Sequence, residues 1–111
     1  MAFEWAERDE EFVKRAAFAL MARFATKRAR APDGLLESFL PVIERASDDD
    51  RNFVRKAVNW ALRGIGKRNL HLNKVAIECA NRILVRDSKS ARWIANDALR
   101  ELTSDKVRAR L

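Results

Sequence analysis

The chain has 111 residues, enough for one small domain with its own core, and 23 Lys and Arg against 16 Asp and Glu give it a formal charge of +7. That excess, with a pI near 10.3, favours polyanionic partners such as nucleic acid, while the single cysteine excludes an intrachain disulfide and suits a reducing cytoplasm. No apolar run approaches the ~20 residues of a membrane span, and three Gly, two Pro and no Tyr leave little material for hairpins, so an all-α protein is expected.

Residues 1–9 read as a lead-in, with Phe3 and Trp5 but no evident element. The spacing of Phe12, Val13, Ala16, Ala17, Leu20, Met21 and Phe24 predicts a first helix over about 10–27 with a broad apolar surface. A basic turn follows, and Pro32 suits the opening of a second helix over 33–46 that buries Leu36, Phe39, Leu40 and Ile43. Pro41 inside that pattern predicts a bend or local break. The run Asp48-Asp49-Asp50 reads as a cap for the third helix, over 50–69, rather than as a cation site. Asn69 is its expected left-handed stop.

A fourth helix is predicted over 73–85, with His71 in the loop before it. No second ligand stands at metal spacing from that histidine, so neither a metal nor a cofactor is expected. Ser88 or Ser90 can cap a fifth helix over 90–102, and Ser104 a final turn over 105–111.

On the third helix the residue types separate. Val54, Val58, Ala61, Leu62 and Ile65 form the buried stripe. Lys56, Trp60, Arg63 and Lys67 fall within roughly 60° of one another on the opposite side. Two readings fit Trp60: cover by another helix with the cation stems over its ring, or a surface that meets a ligand. The flanking cations and the basic chain favour the second.

The helices repeat. Phe12-Val13-Lys14-Arg15-Ala16 matches Phe53-Val54-Arg55-Lys56-Ala57 at a spacing of 41, and Asn59-x-Ala61-Leu62-Arg63 matches Asn96-x-Ala98-Leu99-Arg100 at 37. Spacings near 40 with two helices per unit point to HEAT-like units, which stack because no pair buries its face alone. The rows equivalent to Lys56, Trp60, Arg63 and Lys67 are Arg15, Ala19, Ala22 and Thr26 on the first helix, and Trp93, Asp97, Arg100 and Ser104 on the fifth. Side by side they make a cationic groove with Arg15, Trp60, Arg63 and Arg100 prominent and room beside the tryptophan. Such a groove suits a phosphate backbone and an exposed sugar or base.

The segments R-N-F-V-R-K-A-V-N-W-A-L-R-x-I-G-K-R-N-L-x-L-N, A-R-W-I-A-x-D-A-L-R-E-L-T-S and E-F-V-K-R-A-A-F-A-L resemble the DNA alkylation repair family of HEAT-like alkylpurine DNA glycosylases. The resemblance implies an α-solenoid wound into a right-handed superhelix, with a concave basic surface for duplex DNA, alkylated at N3 or N7 of a purine. It assigns a site tryptophan and arginine to Trp60 and Arg63 and a further arginine to Arg15. The family's key acidic residue lies in a Trp-x-x-Asp-type segment before the F-V-K-R motif, whereas here Trp5 is followed by Glu7, Arg8 and Asp9. The chain therefore reads as one HEAT-like domain over 1–111, with repeat units near 10–46, 50–86 and 90–111, matching the C-terminal part of a larger family fold.

The expected activity is DNA binding through Arg15, Lys56, Trp60, Arg63, Lys67 and Arg100, with base excision in doubt because the acidic segment is absent. Asp97 is the one acidic candidate on the groove rows, and an i, i+3 pair with Arg100 accounts for it more simply than catalysis does. The alternatives are a non-catalytic nucleic-acid module and a HEAT-type scaffold for an acidic protein. Outer apolar groups on the first two helices imply modest stability, with self-association or an N-terminal partner segment over that face.

Overall fold

A computed structural model describes residues 2–111. Among them the chain forms seven α-helices and no strand: α1 (Ala2–Ala6), α2 (Glu11–Phe24), α3 (Asp33–Ala46), α4 (Asn52–Gly66), α5 (Leu70–Leu84), α6 (Lys89–Leu102) and α7 (Asp105–Arg108), with a 3-10 turn at Lys27–Ala29. Alternate helices share a row. α2 packs on α4 and α4 on α6, while α3 packs on α5 behind them. This two-row stacking is that of an α-solenoid. No described helix is long and apolar enough to cross a membrane.

The front row is parallel. Near the starts of its helices Arg15 meets Phe53 and Arg55 meets Trp93. Near their ends Arg68 donates to the carbonyls of Ala25 and Thr26, and Arg63 reaches Glu101. Small residues bring these helices close. A methyl added at Gly66 would sit 2.5 Å from a Leu102 methyl carbon.

Phe18, Met21, Leu36, Phe39, Ile43 and Leu62 fill the space between the rows and exclude solvent almost completely. The back row is stitched by polar pairs between α3 and α5 and the residues that flank them: Asp33 with Asn69, Glu37 with His71, Glu44 with Arg82 and Asp48 with Arg86. Each joins residues 34–38 apart, the step of the repeat.

Several expectations are corrected. Residues Ala2–Ala6 are helical, and Phe3 leans on Phe39 with ring centroids 5.3 Å apart. Five residues are too few to reveal a period. Phe12, expected on an apolar surface, is 74 % exposed, and the buried ring of α2 is Phe18. Phe12 borders an open apolar groove of about 370 Å³ with Trp5, Val13 and Ala16 at the α1–α2 end of the stack.

Pro41 does not interrupt α3. It lies on the exposed side while its neighbours Leu40, Val42 and Ile43 are buried, so packing holds the turn that the proline weakens. Asn69 does not close α4 in a left-handed conformation. It is extended and caps α5, its side chain accepting from the Leu72 N–H. His71 consequently lies within α5 and not in a loop. Ser88 and Ser104 cap α6 and α7 as their positions suggest.

The aspartate run does not cap α4 either, whose N-cap is Arg51 without a side-chain bond. Asp49 is instead a junction. Its carboxylate accepts from Lys14 Nζ at 3.0 Å and from the Arg51 guanidinium at 2.7 and 3.0 Å, and its carbonyl accepts from Ser90 Oγ at 2.7 Å. One residue thereby ties α2, α4 and α6 together.

A second junction is Asn73. It is buried, and its Nδ2 donates to the Gly66 and Leu102 carbonyls at 3.0 and 3.1 Å, the last residues of α4 and α6. Removing the amide leaves both carbonyls short of a donor away from water. Asn73→Ala is expected to lower stability by about 2 kcal/mol, seen as a lower urea midpoint with an unchanged m-value. A midpoint equal to the parent chain's would mean that water replaces the amide without loss.

Candidate nucleic-acid interface

The exposed edges of α2, α4 and α6 form one surface, and α4 runs along its middle. Trp60 is 47 % exposed there, opposite the buried Val58, Ala61 and Leu62. Its ring divides two recesses. One, of about 280 Å³, is lined by Arg15, Ala19, Phe53, Lys56, Ala57 and Trp60. The other, of about 220 Å³, is lined by Ala22, Ala25, Thr26, Lys27, Trp60, Gly64, Lys67 and Arg68. Alanines 19 and 22 stand where larger residues of α2 would close the space against the indole.

The candidate residues fall into groups. Arg15, Lys56 and Trp60 share the first recess, and Trp60 and Lys67 the second. The Arg15 guanidinium lies 5.7 Å from the centre of the Phe53 ring. Among the described residues no carboxylate lies within ion-pair distance of Arg15, Lys56 or Lys27.

Arg63 is placed differently. It is half-buried, its Nε donates to Asn59 Oδ1 at 2.8 Å, and its terminal nitrogen lies 3.1 Å from Glu101 Oε1. Lys67 reaches the other Glu101 oxygen at 3.2 Å. Burial would raise the Glu101 carboxyl, but the hydrogen bonds from Arg63 and Lys67 outweigh it and hold it below the ordinary carboxylate value. Asp97 takes the Arg100 guanidinium at 2.9 Å and lies 3.7 Å from Arg63. Arg100 is exposed on α6 and lines neither recess.

Sequence reasoning missed several participants. Asp97 is not the only acid on this face, because Glu101 stands one turn further along α6. Glu101 lies 34 and 38 residues after Lys67 and Arg63, so extending the repeat alignment by one row would have found it. Asn59 is the buried amide that orients Arg63, and its Nδ2 donates to the Ile94 carbonyl at 3.3 Å. Phe53, seven residues before Trp60, was legible as a neighbour on the helical wheel. Arg55, 4.5 Å from the Trp93 ring centre, repeats the Arg15–Phe53 pair one unit on.

No three His, Cys, Asp or Glu side chains converge as metal ligands among the described residues. Cys79 is a packing residue. Burial pushes its thiol up to about 12, so little of the reactive thiolate exists at neutral pH.

No curated protein matches the chain significantly. A family model described as DNA alkylation repair enzyme matches residues 1–102, which include the front row and both recesses. The repeat pattern, the two-row helical stack and this match agree, and the chain belongs to the DNA alkylation repair enzyme family.

Proposed function

We propose that the α2–α4–α6 face binds the phosphate backbone of duplex DNA, alkylated DNA included, as a HEAT-like module of a right-handed superhelix. The observation that carries this reading is the set Arg15, Lys56 and Lys27. These cations surround a half-exposed Trp60 and are not neutralised by any described carboxylate. Some surface cations pair with nearby acids, as Arg82 does with Glu44 and Arg86 with Asp48 on the back row, whereas Arg15, Lys56 and Lys27 meet no described carboxylate. Cations left free beside an aromatic ring suit phosphates that arrive from outside. Arg63 and Lys67, held by Glu101, form a second tier whose charge is already partly offset.

The test is the salt dependence of affinity for an unmodified duplex. Log affinity is expected to fall linearly with log salt, and Arg15→Ala and Lys56→Ala should each reduce the slope by about one without altering sequence preference. Arg82→Ala serves as the control for net charge and should leave the slope unchanged. Affinity that is flat in salt, or equal losses from Arg82→Ala and Arg15→Ala, would sink the reading.

A further inference from the structure

We propose that copies of this chain stack head to tail, the α1–α2 end of one copy seated on the α5–α7 flank of the next. Neither surface includes a residue of the two recesses beside Trp60. Each carries an apolar groove with a charged rim, and the two rims are opposite in sign.

At the first end Phe12 is 74 % exposed and borders a groove of about 370 Å³ with Trp5, Val13 and Ala16. Residues 4–12 hold five acids and one base, Arg8, which is already paired with Glu10. Among the described residues, Asp9 and Glu11 have no cation at ion-pair distance. At the other end α5 is the last long helix of the back row. Leu70, 64 % exposed, and Ile77 stand two turns apart on it and line an open groove of about 550 Å³. Lys74 lies between them and Arg108 enters from α7, neither paired with a described carboxylate, while Glu78 is the one acid of the lining. Lys106 and Arg110 add to this basic rim against Asp105.

The two-row architecture explains why these surfaces match. Within the chain each helical unit buries an apolar flank of the one before it, and the two end flanks are what that stacking leaves uncovered. A second copy continues the rows and covers both. An unrelated acidic helix would fill the α5 groove but leave Phe12 in water. A nucleic acid suits neither end, because acids rim one groove and the floor of the other is apolar. The two surfaces differ, so the contact is heterologous and repeats from copy to copy instead of closing on a two-fold axis.

The experiment is sedimentation equilibrium of the whole chain without nucleic acid, so its outcome is separate from the reading of the DNA face. The weight-average mass should rise with concentration above the monomer's 12.8 kDa and pass twice that value. Phe12→Asp and Leu70→Asp change exposed positions and leave the core intact, which circular dichroism melts verify. Each should weaken association about 10-fold or more, the scale of losing one buried large apolar side chain. An equimolar mixture of the two variants should recover one-to-one dimers and nothing larger, since one sound head then meets one sound tail. A parent chain that stays monomeric at millimolar concentration overturns the proposal. So does a folded Leu70→Asp that associates like the parent, which would mean that two Phe12 ends pair with each other, or a mixture that recovers no dimer.

Discussion

Methylated duplex DNA incubated with this chain is expected to release 3-methyladenine and 7-methylguanine within about threefold of the no-protein rate. Alkylation at N3 or N7 makes the purine a cationic leaving group, and bond breaking transfers positive charge to the deoxyribose. Catalysis then needs a carboxylate free to face that sugar, a group of the kind typically worth about 10²- to 10⁴-fold. Among the described residues, the proposed DNA face has two carboxylates beside its cations, and neither is free. Glu101 is held by Arg63 at 3.1 Å and Lys67 at 3.2 Å, while Asp97 is held by Arg100 at 2.9 Å with Arg63 beyond it. A carboxylate already neutralised by such cations has little field left for a developing oxocarbenium ion. Release at 100-fold or more above the control would overturn this expectation. Loss of that release in Asp97→Asn or Glu101→Gln would then identify the working carboxylate.

The second large effect concerns stability. Asp49→Asn is expected to cost about 2–3 kcal/mol at neutral pH, roughly a 10 °C fall in Tm for a domain of this size. The Asp49 carboxyl is held well below the usual carboxylate range, chiefly by hydrogen bonds from Arg51 and also by Lys14, against a smaller effect of burial. A depressed folded value stabilises the native state wherever the unfolded carboxylate is also ionised, that is, above about pH 4–5. As the pH falls further, the unfolded chain takes up the proton first, and the advantage declines. The gap between parent and variant should therefore be constant from pH 8 to about pH 5 and narrow in more acidic solution. Thermal melts across that range measure it, and a gap that widened toward acid would contradict the assignment.

The sequence carries some of these features plainly and others ambiguously. The helical wheel of residues 50–69 separates the buried valines from Lys56, Trp60 and Lys67, because exposure on one helix follows from period alone. The two-row stack follows from the 41- and 37-residue echoes in the same way. What period cannot supply is the partner of each charge. Arg63 looks equivalent to Lys56 on the wheel, yet α6 brings Glu101 against it and leaves Lys56 alone. Asn69 and Asp49 mislead for a related reason. An asparagine can stop one helix or cap the next, and an aspartate before a helix can cap it or bind a distant lysine. The outcome depends on which neighbour the fold brings within reach. Here Asp33 receives the Asn69 amide and Lys14 reaches Asp49.

The parallel setting of α2, α4 and α6 gives the face a direction. Each helix presents the positive end of its peptide dipoles at the same rim, the one where Arg15, Phe53, Arg55 and Trp93 meet. The negative ends converge on the opposite rim, where Gly66 and Leu102 end their helices and Lys67 lies beside Glu101. Side chains oppose this slope of the backbone potential, because Glu10, Glu11 and Asp50 stand near the starts of α2 and α4 while Arg23, Lys27, Lys67 and Arg68 stand near their ends. The two fields therefore offset one another along the helix axes, and a polyanion on this surface would meet cations at both rims, Arg15 and Lys56 toward one and Lys27 and Lys67 toward the other.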